Sequence, residues 1–484
     1  MNVQTPGMFD VGALGPEIVL VLWGCAIIII DLCLPAAASR RGLLPTSLAG
    51  IAVAMLASVA LIGGPTDAFF GFLVVDGFAI FFKILFLVAA TLVILASETF
   101  TERIGEFQAE FYALLLFCTA GLMLMASTNE LISIYVSLEL SSLSLAFLAT
   151  WAKRELRSSE AGLKYFVLSA ISSAILLFGM AVFYGITGST NLRTIAGVLT
   201  QGASPAALLA MSMMVAGLGF KIAAVPFQMW TPDVYEGAPT PITAYLSVAS
   251  KAAGLAVVIR VFDVALASGP IQATWVDLFV VLSLVTMTVG NLAAMLQRNI
   301  KRMLAYSSIA HVGYILMGLA AASPSGISSV LFYLLVYTFT NVGAFAVVVV
   351  MSRYVDNEDL DQYAGLAKRA PVLSAILAMC LLSLAGLPPL AGFFSKLYLF
   401  WAAIDRGLYV PVAWGLINSA VSLFYYFRVI RQMYLAEPTT EGPVTVGVAP
   451  AISLAAATLG VLAIGVFASP FIATTLSAAT TLSR

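Results

Sequence analysis

About fourteen runs of roughly twenty apolar residues, joined by short polar connections, leave this chain of 484 residues one kind of fold. In lipid, every backbone N–H and C=O must be satisfied within its own segment, so such runs cross as helices. They fall at about 14–35, 45–63, 75–97, 109–127, 130–151, 161–187, 205–230, 241–267, 275–296, 303–321, 327–351, 371–401, 409–429 and 448–476. The chain is 61% hydrophobic and 10% charged, against about 25% charged residues in an ordinary soluble domain. The longest polar connection, roughly 352–370, is too short to bury a core of its own. The expected fold is all-α and polytopic, a single integral membrane domain over 1–484.

The residue inventory excludes several functions. With 23 Lys+Arg against 24 Asp+Glu, no basic surface is available for nucleic acid. Cys25, Cys33, Cys118 and Cys380 lie in apolar runs without a CxxC pair, and His311 is the one histidine. Neither a metal centre nor an iron–sulfur cluster is suggested, and neither a GxGxxG turn nor a Walker loop offers a nucleotide site. Basic residues set the orientation. With the N-terminus outside, the inner loops hold Arg40, Arg41, Arg103, Lys153, Arg154, Arg157, Arg298, Lys301, Arg302, Arg353, Lys368, Arg369, Arg428 and Arg431, and the outer loops only Arg193, Arg406 and Arg484. Helix 1 reads as a retained anchor, because MNVQTPGMFD has no basic residue. An even helix count then puts the C-terminus outside too.

Six basic residues fall inside spans: Lys83, Lys164, Lys221, Lys251, Arg260 and Lys396. Each costs about 2.5–3.5 kcal/mol at a helix centre on insertion scales. Five of the six are lysines, which can release a proton in a dry site where arginine stays charged. Around Lys221 the chain reads GFKIAAVPFQMWTPDVYEGAPTPITAYLSVASKAAG. Pro226 must break or bend helix 7, and freed carbonyls in a membrane need protein or water beside them. The competing reading is a lysine snorkelling to the interface. AGLPPLAGFFSKLYLFW repeats the design, with Pro388 and Pro389 interrupting helix 12 ahead of Lys396.

Two Pro-interrupted helices bearing lysines point to repeated transporter architecture. Helices 4–8 (109–267) and 9–13 (275–435) form two five-helix units, and an odd count makes consecutive copies inverted. Residues 1–108 hold three preceding helices and 448–476 a last one. Glu139 is the clearest acidic residue deep in a span, and Lys164 on the next helix is its candidate partner, or else an i,i+4 partner of Glu160. His311, in KRMLAYSSIAHVGYILMG, suits a proton relay or is a hydrogen-bonded packing residue. Lys251 has Ser247 and Ser250 for company. Arg260 is expected to pair with Asp263 near the outer end, and Lys83 to snorkel or bind a neighbour.

FKIAAVPFQMWTPDVYEGAPTP, KRMLAYSSIAHVGY and GLPPLAGFFSKLYLF resemble the antiporter-like membrane subunits of respiratory complex I, NADH:quinone oxidoreductase, over about residues 109–435. Relatives in photosynthetic NDH complexes resemble them nearly as well, and Mrp-type sodium/proton antiporters share the core motifs. The resemblance implies a proton-translocating subunit of a bacterial plasma membrane, working beside other membrane subunits of the complex. Flavin (FMN), iron–sulfur clusters and quinone would sit in partner chains, and none in this one. It implies proton-transfer roles for Glu139 of helix 5, Lys164 of helix 6, Lys221 of helix 7, Lys251 of helix 8, His311 of the central axis and Lys396 of helix 12. Gln228 departs from the pattern: many relatives have histidine there, and glutamine cannot take up a proton at neutral pH.

Overall fold

The computed structural model describes residues 8–35, 39–64, 66–105, 107–200, 204–267, 269–355, 357–438 and 442–482. Transmembrane helices 1 to 6 are Gly15–Cys33, Leu43–Ala60, Gly77–Ala96, Gln108–Ser127, Leu131–Ala149 and Leu156–Thr187. Helix 7 is Pro205–Ile222, followed by a short helix Trp230–Gly237. Helices 8 to 11 are Thr240–Ala265, Gly269–Leu296, Ile300–Ala320 and Pro324–Met351. Helix 12 consists of two halves, Pro371–Ala385 and Ala391–Ile404, and helices 13 and 14 are Tyr409–Leu435 and Val448–Val466. The polytopic all-α architecture thus follows the apolar runs, including both interruptions.

Several helix starts carry a side-chain cap that their sequence supplies. Asp76 Oδ1 accepts from Ala79 N at 2.7 Å at the head of helix 3, and Asn299 Oδ1 accepts from Lys301 N and Arg302 N at the head of helix 10. These oxygens satisfy donors that a helix terminus leaves without intrahelical partners.

The last run departs from expectation. It is not one helix over 448–476: the helix stops at Val466, and a second one, Ala468–Leu482, follows Phe467. Pro470 explains the stop, because in a continuous helix its ring would meet the carbonyl of Val466 four residues back. The second helix lies against the starts of helices 3 and 11, where Thr481 Oγ1 accepts from Phe78 N at 3.2 Å and Thr475 meets Ser328 at 3.1 Å.

The bundle's centre is made of helices 8, 10 and 11, which are almost wholly buried, while helices 1 and 2 present most of their surface outward. Helices 9 and 10 approach most closely. A Cβ on Gly290 would come within 2.5 Å of Ala310 N, and one on Gly313 within 2.4 Å of Met287 N. Small residues let membrane helices touch backbone to backbone. That contact fixes helix 10 on both sides of His311.

Two of the intramembrane charges are paired through tertiary contacts that span large distances in sequence. Lys83, fully buried, lies 2.8 Å from Glu17 Oε1 of helix 1, so it binds a neighbour and does not snorkel. Arg260 does not pair with Asp263. Its guanidinium grips Asp76 with both forks, at 2.8 and 3.0 Å, and its Nε donates to Ala126 O at 2.7 Å. The reason is local: residues 261–265 form a π-helical turn, whose wider winding takes Asp263 off the face that an α-helical i,i+3 pair would share.

Candidate proton-transfer site

Helix 7 ends in a Schellman cap. Ala223 sits in the left-handed region at φ 62°, its N–H donates to Phe220 O at 3.0 Å, and Ala224 N donates to Gly219 O at 2.8 Å. Lys221 stands in this last turn, 3% exposed, at the end where the helix dipole favours a cation. Its Nζ donates to Ser142 Oγ at 2.9 Å and Ser141 Oγ at 3.3 Å, both on helix 5. Ser142, Ser169, Ser172 and Ser173 line a cavity of about 10 Å³ beside it, room for roughly one water molecule. The freed carbonyl of Phe220 also accepts from Trp230 Nε1 at 3.0 Å, and Val225 N donates to Thr286 Oγ1 at 3.1 Å.

Lys251 follows on helix 8. It is 3% exposed, donates to Ser308 Oγ of helix 10 at 2.6 Å, and lies 5.6 Å from the Tyr235 ring centroid. Gly254, one turn on, lies against the Lys221 stem, where a Cβ would come within 3.0 Å of Lys221 Cγ. The two lysines are therefore attached to facing backbones.

Ser308 is one turn before His311 on helix 10. His311 Nδ1 is 2.6 Å from Tyr333 OH and its Nε2 is 3.2 Å from Tyr426 OH, which in turn bonds Ser307 Oγ. The ring thus has one phenol on each nitrogen, so a proton accepted on one side can leave on the other. A second cavity of about 10 Å³ lies between His311 and Lys396, lined also by Thr340, Ser383 and Ser395. Lys396 Nζ donates to Ala385 O and to Ser419 Oγ, each at 2.9 Å, and lies 4.9 Å from the Tyr314 ring centroid.

The structure brings Lys221, Lys251, His311 and Lys396 into one buried succession. It places Glu139 and Lys164 differently. Glu139 is half-buried on helix 5, beside Ile132, Val136, Leu143 and Phe147, which all point outward. Its Oε1 is buried with no hydrogen-bond partner among the described residues. Ser142, the partner of Lys221, is one turn along the same helix. Lys164 bonds Glu160 at 2.7 Å and Asp233 at 2.8 Å, not Glu139, and is 40% exposed.

Asp233 also holds Arg302 at 2.9 Å, and Arg302 holds Glu236 at 2.7 Å. Partial burial pushes the Asp233 carboxyl upward, but hydrogen bonds from Lys164 and Arg302 outweigh it and keep the group below the ordinary carboxylate range. Gln228 Oε1 in the break is buried without a protein partner among the described residues.

Sequence reasoning missed the tyrosines Tyr333 and Tyr426, the Asp233–Arg302 cluster, Glu17 and Asp76. For the charged ones the signal was available, since each is a charged side chain in, or one turn from, an apolar run; the two tyrosines carried none.

Among the described residues, thirteen long apolar helices and a fourteenth in two halves, with lysines at the two breaks and a histidine between, have the arrangement of an antiporter-like membrane subunit. The sequence profile described as NADH:quinone oxidoreductase/Mrp antiporter, TM, matches residues 127–422. The NADH-quinone oxidoreductase subunit N of Desulforamulus reducens is 42% identical over 463 residues, 96% of each chain. A chain of the respiratory complex I from Thermus thermophilus with bound aureothin superposes with a TM-score of 0.80 at 35% identity, covering 95% of this chain and 98% of that one. A chain of the Mrp complex from Dietzia sp. DQ12-45-1b, 23% identical with a TM-score of 0.82 over 97% and 98% of the two chains, shares the fold. The chain belongs to the subunit N family of NADH-quinone oxidoreductases.

Proposed function

We propose that this chain is a proton-translocating membrane-arm subunit of an NADH:quinone oxidoreductase (complex I), seated in a bacterial plasma membrane with both termini outside. The observation that carries the reading is the succession Lys221, Lys251, His311 and Lys396, buried to 3–5% exposure in an otherwise apolar bundle. Flavin, iron–sulfur and quinone chemistry belongs to partner subunits, and this chain supplies charge movement. Helices 4–8 and 9–13 act as two inverted halves, one lysine at each break.

Protons enter from the end bearing Lys164, Asp233 and Arg302 and load Lys221. The Gly254 contact, which sets the Lys251 helix against the Lys221 stem, supports Lys251 as the next carrier. From there Ser308, His311 and its two phenols lead to the cavity before Lys396, which releases to the outside. Buried polar atoms without a hydrogen-bond partner among the described residues, among them Tyr235 OH, Ser250 Oγ and Tyr337 OH, suit a hydrated path, since such groups are commonly met by water.

Moving one charge against about 150 mV requires roughly 3.5 kcal/mol. Gain and loss of charge at Glu139, one turn from the serine that holds Lys221, would supply part of a stroke.

The test is the proton-to-electron ratio of assembled complex in inverted membrane vesicles. Lys221→Ala and Lys396→Ala are each expected to lower it, and full stoichiometry in both would overturn the reading. The fold shared with the Mrp chain supports a second reading, a cation/proton antiporter. Sodium-dependent transport by an assembly without NADH oxidation would put it in first place.

A further inference from the structure

Helix 8 is not uniformly α-helical. Leu246–Ser250 and Val261–Ala265 are π-helical turns, and between them Lys251–Arg260 forms ten residues of regular α-helix. Such turns are rare, and each widens the winding locally, so the segment between two of them is rotated away from the setting a continuous α-helix would give it. Contacts outside the helix hold that setting.

Lys251 and Arg260 are the first and last residues of this segment. Nine residues make about two and a half turns, so they project from opposite faces about 13 Å apart. Lys251 points to Ser308 of helix 10. Arg260 points the other way, to the Asp76 carboxylate of helix 3 and the Ala126 carbonyl of helix 4, with the Phe78 ring centroid 4.9 Å from its guanidinium carbon. Both members of the pair are buried, at 2% and 5% exposure. A two-pronged guanidinium–carboxylate contact fixes angle as well as distance. Because the two residues lie on opposite faces, any rotation of the segment that takes Lys251 off Ser308 must also twist this grip.

We propose that Asp76 and Arg260 are positioning residues for Lys251: their buried ion pair sets the rotation of the segment between the two π turns and so aims the lysine at Ser308. The proposal rests on the reading of Lys251 as a proton carrier. It gives the N-terminal three-helix unit a part in the transfer, since Asp76 belongs to helix 3, outside the matched region 127–422. Asp76 is suited to this double duty. One oxygen caps helix 3 at Ala79 N, and the pair of oxygens together receives the arginine.

The experiment uses the whole complex in inverted vesicles, with assembled complex quantified on native gels and protons counted per electron. Arg260→Lys keeps the charge but loses the fork. Asp76→Asn keeps a good helix cap but loses the carboxylate. Both are expected to assemble and to show a proton-to-electron ratio lowered to that of Lys251→Ala. A merely structural pair would change the amount of complex and leave the ratio of the assembled fraction untouched, and that result overturns the proposal. Failure of both variants to assemble also counts against it. If Lys251→Ala keeps the full ratio while Lys221→Ala lowers it, the positioning proposal falls and the proposed function stands. If neither lysine variant lowers the ratio, the proposed function falls as well.

Discussion

Helices 7 and 12 both halt in a left-handed residue, Ala223 at φ 62° and Gly386 at φ 86°. The cap is the same in each. Gly386 N donates to Ser383 O at 2.9 Å and Leu387 N to Leu382 O at 3.1 Å, matching the pair made by Ala223 and Ala224. The lysines relate to these caps in opposite ways. Lys221 precedes its break and turns away, to the hydroxyls of helix 5, leaving Trp230 to cover the freed carbonyl. Lys396 follows its break and reaches back, so that its ammonium is itself the donor on Ala385 O. One lysine is free of structural duty and next to the helix that carries Glu139. The other is part of the joint it serves. A charge change at Glu139 can therefore act on Lys221 without loosening helix 7, whereas Lys396 cannot move without taking from Ala385 O one of its two side-chain donors, the other being Ser419.

The sharpest way to break this comparison is at Gly386. A Cβ there would come within 2.8 Å of Lys396 Cδ, in a backbone conformation that side chains rarely adopt. Gly386→Val is expected to lose about 3 kcal/mol from left-handed strain and displacement of the lysine together. The measure is the yield and thermal stability of assembled complex.

Next in size, Lys396→Met with Ser419→Ala removes both side-chain donors from Ala385 O, an expected loss of about 2 kcal/mol for an unsatisfied buried carbonyl. Lys221→Met should leave stability nearly unchanged, because Ser141 already bonds Leu138 O of its own helix. Equal stability losses at the two sites would erase the distinction.

A smaller effect of opposite sign is expected at the first cap. Ala223→Gly relieves a positive φ and should raise stability by about 0.5–1 kcal/mol, seen as a higher unfolding temperature.

The smallest concerns Asp233. Its carboxyl is held below the ordinary value, so the stabilisation it contributes is present above the unfolded pKa of about 3.9 and is lost as pH falls through the lower, folded one. Asp233→Asn should therefore show less acid destabilisation than the parent chain when complex integrity is followed from pH 6 to pH 3.

The helices and their interruptions could be read in the sequence because lipid imposes them locally: apolar length marks a crossing and Pro226, Pro388 and Pro389 mark the breaks. The lysines stood out for the same reason, as charges where charge is costly. What could not be read was contact between distant segments. Arg260 meets Asp76 across 184 residues, and local spacing offered Asp263 instead, because a π turn looks like any other stretch of apolar helix. Lys164 had two carboxylates within plausible reach, and only the fold of the Trp230–Gly237 helix brings in Asp233. The phenols around His311 come from helices 11 and 13, and nothing in their own segments distinguishes Tyr333 or Tyr426 from packing aromatics.

The glycine contact between helices 9 and 10 has a mechanical consequence. Gly290 and Gly313 clamp backbone against backbone on either side of His311, so that stretch of helix 10 behaves as the stator of a machine. The imidazole, between its two phenols, and Ser308, which receives Lys251 from helix 8, are set on that fixed backbone. Replacing either glycine by alanine would prise the stator from its mount and let the histidine drift relative to both lysines.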